Sequence, residues 1–343
     1  MDAPSLSVLL VGCLPPPVGG VSVHLRRLTA RLEADGHRWR LFDDGPVHPL
    51  QLPVRLLGAL LAARLRGVRL VHVHSGNWRT RMLAAWLGRL LGLPVVITLH
   101  SFRPLDNPRT RRLARLALSQ ARVLVAVSGE VRARCLEHGA DPARIHVQYA
   151  YLDPPATGAD PLPPAVESFL AGHSPVLAAS ASLLRFHDGL DLYGLDLLMD
   201  LVHAVRDRHP RAGLVFVLPE TGLPDYLERC RGRLRQLDLL ADFLIVEEAL
   251  DFPALLRRCH LMLRPTTTDG DSLSLRESLA VGCRTLASDA VPRPEGVEVF
   301  RSRDAAHLLE RTLELLEQPE PTPRGGQDGW PGLWRAYQAA FHG

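Results

Sequence analysis

The sequence has 343 residues, of which 46% are apolar and 22% are charged; this is ordinary for a globular protein but long for a single core. Two domains are therefore expected. Residues 1–150 contain 21 Arg against 9 acidic residues, a net charge of +12, whereas the remainder contains 19 Arg against 28 acidic residues, a net charge of −9. The basic first half indicates an anionic partner such as a membrane surface, or only a solvated charged surface.

Several function classes are excluded by what the sequence lacks. It has no lysine, so all 40 basic residues are Arg and any phosphate site must use other groups. Nothing resembles a nucleic-acid module, and no nucleic-acid partner is expected. The five cysteines have no metal or redox spacing, as is typical of reduced thiols in a cytosolic protein. With no signal peptide and no apolar run of ~20 residues, we expect a cytoplasmic protein whose basic half could lie against the inner face of the membrane.

Short apolar runs alternate with helical periodicity in the first half, which favours a parallel sheet with helices between its strands. In the third helix, Met82, Trp86 and Leu90 form an apolar stripe that we expect to pack in the core. The fourth helix carries Arg109, Arg111, Arg112 and Arg115, which could meet anionic lipid headgroups or be solvated. The predicted strands are 7–11, 39–42, 70–73, 95–99 and 123–127, and the predicted helices are 21–32, 54–65, 78–91 and 109–122.

Several loops of this half follow directly after strands. Gly19 and Gly20 would let the backbone approach a ligand closely, although a plain turn explains the pair equally well. His74 and His100 each end a strand, and His100 leads into a loop that contains Arg103. A single histidine is more often structural than functional.

The Pro-rich stretch 153–164 is predicted to be a linker to a second α/β domain. That domain has predicted strands at 176–179, 214–218, 243–246, 261–263 and 285–287, with helices at 165–171, 225–237, 253–259 and 305–316 and a last helix at 330–341.

The most informative stretch is 263–289, which reads as strand, polar loop, helix and strand. Asp271 or Ser272 suits the N-cap of its helix, and Gly282 suits the helix end. Helix N-termini at the carboxyl edge of a parallel sheet bind phosphate through backbone N–H groups. Asp269 and Glu277, with seven residues between them, would then be free to accept hydrogen bonds from sugar or ribose hydroxyls. An ordinary loop with two solvated acids is the alternative.

This stretch resembles the acid-x7-acid motif of retaining family-4 glycosyltransferases of the GT-B fold, with Asp269 in place of the usual first Glu. The resemblance implies two Rossmann-like α/β domains that face a cleft. Residues 1–158 would form the acceptor domain, with a crossing helix at 328–343, and residues 159–327 would form the nucleotide-sugar donor domain. The reaction implied is transfer of a sugar from a nucleoside diphosphate, UDP or GDP, to an unidentified glycan, lipid-linked or small-molecule acceptor.

The resemblance also assigns roles to residues. No metal or other cofactor is expected, because no His/Asp cluster has ligand spacing and a helix dipole together with Arg can replace the ion. Asp269 would bind sugar hydroxyls, Glu277 the ribose, and His100 the donor. Gly19 and Gly20 are implied to border the donor phosphates or the acceptor, and the other donor-binding residues would be Gly270, Asp271, Ser272 and Leu273. His74 and Arg103 lie in loops of the first half that match no family pattern, and they could face the acceptor.

One departure from the family pattern concerns the phosphate grip. The family usually has an Arg and then Lys-Gly before the helix that follows the first strand of the second domain. Here Tyr193 precedes Gly194, and Arg185 is the nearest arginine. The leaving diphosphate would then depend on Arg185 and on helix N–H groups. Two rivals stay open: a GT-B epimerase or hydrolase that uses water, and a catalytically impaired scaffold that binds nucleotide or a partner.

Overall fold

A computed structural model describes residues 5–16, 18–102, 105–153, 161–318 and 328–342. The chain divides into two compact units, Met1–Pro155 with Asp328–Gly343, and Ala156–Gln327. The boundary predicted after residue 158 and the candidate residue Arg103 lie outside the described residues.

The first unit is a doubly wound parallel sheet, because its four central strands are buried along their whole length and each of the first five strands is followed by a helix. Its elements are β1 Ser7–Val11, α1 Gly20–Ala34, β2 Arg38–Phe42, α2 Leu52–Leu65, β3 Leu70–Val73, α3 Trp78–Leu90, β4 Val95–Leu99, α4 Pro108–Gln120, β5 Val123–Ala126, α5 Gly129–Glu137 and β6 Ile145–Val147. The six strands lie in the order β2-β1-β3-β4-β5-β6, and every neighbouring pair is parallel.

The second unit repeats this architecture. Its elements are α6 Pro164–Gly172, β7 Val176–Ser180, β8 Phe186–His187, β9 Leu190–Asp191, α7 Leu195–Val205, β10 Gly213–Val217, α8 Pro224–Gln236, β11 Phe243–Val246, α9 Phe252–Leu256, β12 Leu261–Arg264, α10 Leu273–Ala280, β13 Thr285–Ser288, β14 Glu298–Phe300 and α11 Ala305–Glu317. The parallel sheet has the order β11-β10-β7-β12-β13-β14, and the β8–β9 hairpin, which the sequence did not predict, stands apart from it. The predicted strand, helix and strand of the 263–289 stretch are β12, α10 and β13.

The last helix, α12 Trp330–His342, packs on the first unit, as predicted. Trp330 and Tyr337 are buried with side chains of α1 and of strands β1, β3, β4 and β5. Helices α2, α3 and α4 cover the opposite face of that sheet, because their buried side chains belong to a separate core with the other side chains of the same strands.

The prediction that Met82, Trp86 and Leu90 pack in the core is wrong for two of the three. Trp86 is 49% exposed and Leu90 is 64% exposed. The helix instead buries a face of small residues, including Ala84 and Gly88, and a side chain on Gly88 would overlap Val95. Small residues let α3 lie close to the sheet, which turns its large apolar residues outward.

Across the described ranges, no helix combines the length and the apolar character that crossing a bilayer requires.

Candidate functional site

In the second unit, Asp269 lies in a buried network with two arginines. Arg264, at the end of β12, donates to both carboxylate oxygens, from Nε to Oδ2 at 2.8 Å and from Nη2 to Oδ1 at 3.2 Å. Arg293 donates from Nη1 to Oδ2 at 3.3 Å, and the Gly270 N–H donates to Oδ1 at 3.1 Å. The expectation that this carboxylate is free to bind sugar hydroxyls is therefore not met, because both oxygens are already engaged.

The side chains of Arg264 and Arg293 are held in place by further hydrogen bonds to backbone carbonyl and hydroxyl groups. Arg264 donates to the Ser180 carbonyl at 3.0 Å, and Arg293 donates to the Ser288 carbonyl at 2.7 Å and to Thr266 Oγ1 at 2.9 Å. These contacts tie the ends of β7, β12 and β13 together. We call Arg264, Asp269 and Arg293 the arginine clamp.

The charged groups of the arginine clamp shift one another's pKa values. Burial opposes ionisation of Asp269, but the charge and hydrogen bonds of Arg264, then those of Arg293, outweigh it and hold the pKa of Asp269 below its ordinary value. Burial also opposes the charge of Arg264, yet Asp269 outweighs it and raises the pKa of Arg264. At Arg293 burial prevails and the pKa is lowered, so Arg264 is the principal partner of the carboxylate.

The loop after Asp269 leads into the N-terminus of α10. Asp271 accepts a hydrogen bond from Arg276 Nε at 2.9 Å, and the pair is nearly buried. The Ser272 hydroxyl lies 3.1 Å from the Ser274 hydroxyl and does not cap the helix. The Ser272 side chain therefore does not occupy the N-terminus of α10, where backbone N–H groups point out of the helix as an anion site requires. Glu277 is buried in the second turn of α10.

The segment before α7 differs from the expected phosphate grip. Tyr193 packs its ring on the Arg264 guanidinium, 5.1 Å from ring centroid to Cζ, and its hydroxyl lies 3.2 Å from the Ser182 hydroxyl. Buried Asp191 accepts hydrogen bonds from the Tyr193 and Leu195 N–H groups, both at 2.9 Å. A carboxylate thus already occupies the N-terminus of α7, while Arg185 is exposed beside the β8–β9 hairpin.

In the first unit, four histidines that we call the histidine cluster come together: His24, His72, His74 and His100. His74 Nδ1 lies 3.0 Å from His100 Nε2, and His74 Nε2 lies 3.1 Å from His72 Nδ1. His72 in turn contacts the Tyr337 hydroxyl and Thr98 Oγ1, both at 2.7 Å. The strand-end positions of His74 and His100 were predicted, and the structure shows that the two side chains touch.

His24 completes the histidine cluster from α1, five residues after Gly19. Its Nδ1–H donates to the Ala150 carbonyl at 2.5 Å, which fixes the tautomer and leaves Nε2 as an acceptor. That buried Nε2 has no hydrogen-bond partner within the part of the chain that the structure describes. Nitrogen atoms of His24, His74 and His100 lie within 4.8 Å of one another, so these three side chains could hold a metal ion, which their separation in the sequence did not indicate.

Burial controls the charge of the histidine cluster. It lowers the pKa of His24 to about 4 and holds the pKa values of His72, His74 and His100 well below their ordinary value. All four rings are therefore neutral near pH 7. A neutral imidazole can donate one hydrogen bond and accept another, which suits recognition of hydroxyl groups.

Most of the first unit is similar in sequence to known proteins. The model of Glycosyltransferase Family 4 matches residues 18–154. We call this matched region the family-4 domain, after the model to which it is similar. This family-4 domain contains the whole histidine cluster and the glycine pair. Alpha-maltose-1-phosphate synthase from Mycolicibacterium smegmatis is 30% identical over 159 aligned residues, and the match covers 39% of this chain and 41% of that protein's length.

Solved structures are similar in fold to nearly the whole chain, including the part beyond the family-4 domain. HepE from Anabaena, solved with UDP and glucose, aligns with a TM-score of 0.67 and 16% identity over 97% of this chain and 95% of its own. A Listeria monocytogenes protein proposed to be a UDP-N-acetylglucosamine 2-epimerase aligns with a TM-score of 0.65 and 16% identity over 98% of this chain and 97% of its own. At these identities the likeness shows the fold, and the predicted GT-B class is confirmed.

Several residues of these sites were not predicted from the sequence. Arg264 carried a signal, because an arginine that ends an apolar strand must find a partner when it is buried. His24 carried a weaker one, as a histidine in the first turns of the helix after the glycine pair. Nothing in the sequence indicated Arg293, which reaches Asp269 from 24 residues further along the chain.

Proposed function

We propose that this protein is a retaining glycosyltransferase that moves a sugar from a nucleoside diphosphate to an acceptor. The observation that carries the proposal is the combination of a family-4 domain with a second Rossmann-like unit whose α10 begins at the carboxyl edge of its sheet. Ligands of open α/β sheets bind at that edge.

UDP is the first choice of nucleotide. HepE, which shares the fold, was solved with UDP and glucose. GDP remains the second choice, because no described contact of this chain reads the base. The sugar and the acceptor are open, and the acceptor side is assigned to the family-4 domain, around His74 and the 102–109 loop.

The proposed mechanism uses no protein nucleophile. The backbone N–H groups at the N-terminus of α10 hold the diphosphate, and the dipole of α10 stabilises its charge as the sugar–phosphate bond breaks. A diphosphate oxygen then assists removal of the acceptor proton on the same face of the sugar, which retains the configuration. Neutral His100 binds the donor by a hydrogen bond, and Glu277 binds the ribose.

Two assignments change in this mechanism. Asp269 positions the loop before α10 through the arginine clamp, and its engaged oxygens do not bind the sugar. Arg185, exposed and five residues after β7, supplies the positive charge that Tyr193 cannot give. Because Asp191 occupies the N-terminus of α7, the diphosphate lies at α10 alone.

A thermal-shift panel of UDP, GDP, dTDP and their sugars tests the proposal. A ligand at about one hundred times its dissociation constant adds ~2.7 kcal/mol of stability, which is a few degrees for a protein of this size. Arg185→Gln should abolish the shift with little change in the unliganded melting temperature, whereas the exposed control Arg235→Gln should keep it. A flat panel with the native protein would refute a working donor site.

A sugar-nucleotide epimerase or hydrolase is the second candidate, and the alignment with the Listeria protein favours it. Such an enzyme converts the donor when no acceptor is present. Incubation of the donor found in the panel with the protein alone, followed by chromatography of the nucleotide, distinguishes the two reactions. A donor that stays unchanged supports a glycosyltransferase. A protein that binds the donor but neither converts it nor transfers its sugar to any acceptor offered would instead be a catalytically impaired scaffold.

A further inference from the structure

Helices α2, α3 and α4 share an unusual charge pattern. Together they contain nine arginines and no acidic residue. No acidic residue occurs anywhere between Asp44 and Asp106. In water-soluble proteins both signs are normally interspersed on a helical surface, so this group of helices presents a field of one sign.

The same helices leave large apolar side chains in the solvent. Val54 is 75% exposed, Leu61 42% and Leu65 88% on α2, and Trp86 is 49% exposed and Leu90 64% on α3. Most exposed large apolar side chains of the described residues lie on these helices or directly before them, which marks an interaction surface. Helix α2 is apolar on its outer as well as its inner face, because Leu56 and Leu60 fill the core beneath it.

These side chains form one surface. Helix α3 contacts both α2 and α4, and the three helices cover the same face of the first sheet. Their outward residues therefore combine into an apolar-basic surface. Its exposed arginines are Arg55, Arg64, Arg66, Arg89, Arg109, Arg111, Arg112 and Arg115.

We propose that the apolar-basic surface docks on an anionic lipid bilayer, with α2 lying in the plane of the interface. Apolar side chains that enter the headgroup region next to Arg side chains that meet lipid phosphates are the two signals that hold a protein on a membrane without crossing it. Trp86 fits the interfacial preference of tryptophan. The proposal does not depend on the transferase reaction.

Two other occupants fit less well. A second copy of this chain docked through the same patch would bring the arginines of both copies together with no acid to neutralise them. A nucleic acid would meet the arginines but gain nothing from Val54, Leu61 and Leu65. Only a partner that is both anionic and apolar beneath its charged layer satisfies both observations.

Vesicle sedimentation of the full chain tests the proposal, with phosphatidylcholine vesicles that contain or lack phosphatidylglycerol. Binding should require the anionic lipid and weaken in high salt. The variant Val54→Gln/Leu61→Gln/Leu65→Gln should reduce affinity by about tenfold or more. Replacing the four arginines of α4 by glutamine should reduce it by about two to three orders of magnitude, since each basic residue near the surface contributes about fivefold. The matched control Arg235→Gln/Leu240→Gln, on the second unit, should bind as the native protein does.

Each other outcome overturns the proposal. Failure of the native protein to bind either kind of vesicle removes the membrane as partner. Unchanged binding by both surface variants places the contact elsewhere. If gel filtration shows a dimer that the apolar variant dissociates, and vesicles are not bound, a second copy covers the surface. Far-ultraviolet circular dichroism melts confirm that the variants are folded.

Discussion

Replacing Asp269 by asparagine distinguishes a positioning role from direct binding of the sugar. The substitution keeps the shape of the side chain and removes the negative charge from the middle of the arginine clamp. It also places an NH2 group where one oxygen now accepts hydrogen bonds from Arg264 or Arg293. Two nearly buried guanidinium groups are left without their common counter-ion.

The expected cost follows from that burial. Removing one partner of a buried ion pair costs about 3–5 kcal/mol. A domain of this size loses roughly 2–4 °C per kcal/mol, so Asp269→Asn should lower the melting temperature of the second unit by roughly 6–20 °C. The matched control is Asp200→Asn, which breaks the exposed pair with Arg233 and should cost no more than ~1 kcal/mol.

Chemical denaturation at several pH values measures this difference. The pKa of Asp269 is lowered from 3.8 in the folded protein, so its contribution is complete above that value and is lost as the pH falls through the lower folded pKa. The gap between native protein and Asp269→Asn should be constant from pH 5 to 8 and shrink below pH 3.8. If both asparagine variants melt at one temperature and only Asp269→Asn loses donor binding, the carboxylate touches the ligand and our reasoning is refuted.

Two further predictions concern packing. Tyr337→Phe removes the hydroxyl that contacts His72 and should destabilise the first unit by ~1–2 kcal/mol, measured by urea unfolding; an unchanged midpoint would show that the hydroxyl contributes nothing. Gly194 and Gly189 both have positive φ, +67° and +76°, but an alanine Cβ at Gly194 would lie 2.7 Å from the Pro265 carbonyl oxygen, whereas at Gly189 it would meet open space. Gly189→Ala should therefore lower the free energy of unfolding only by the backbone strain of ~1–2 kcal/mol. Gly194→Ala should lower it clearly more when measured by the same urea unfolding assay. Equal losses for the two variants would mean that the contact with Pro265 relaxes freely.

The sequence predicts the fold well because its signals are local. Apolar runs such as 95–99 and 123–127 have no alternative to a buried strand, and β12, α10 and β13 follow from one continuous stretch. The β8–β9 hairpin was missed because its two strands have only two residues each, too short for any periodicity. The prediction for Trp86 and Leu90 was wrong because helical spacing alone does not show which face of a helix is buried. In α3 the buried face consists largely of small residues, and the large apolar residues lie on the exposed face.

The candidate site was less predictable, since its properties arise from residues distant in the chain. The acidic motif located Asp269, but its hydrogen-bonding state depends on Arg293, which arrives from the segment after β13. Likewise, His74 and His100 could be placed at strand ends, while the tautomer of His24 depends on the carbonyl of Ala150, 126 residues away.

The position of α12 has a consequence for how the chain is made. Tyr337 and Trp330 close one face of a sheet whose strands all lie before residue 148. During synthesis part of that apolar face stays open while the entire second unit is translated, and it closes only after α12 has left the ribosome. The second unit can mature as a continuous segment, but the first is completed by a segment that follows the second, so a nascent chain stalled before α12 exposes a face that chaperones would bind.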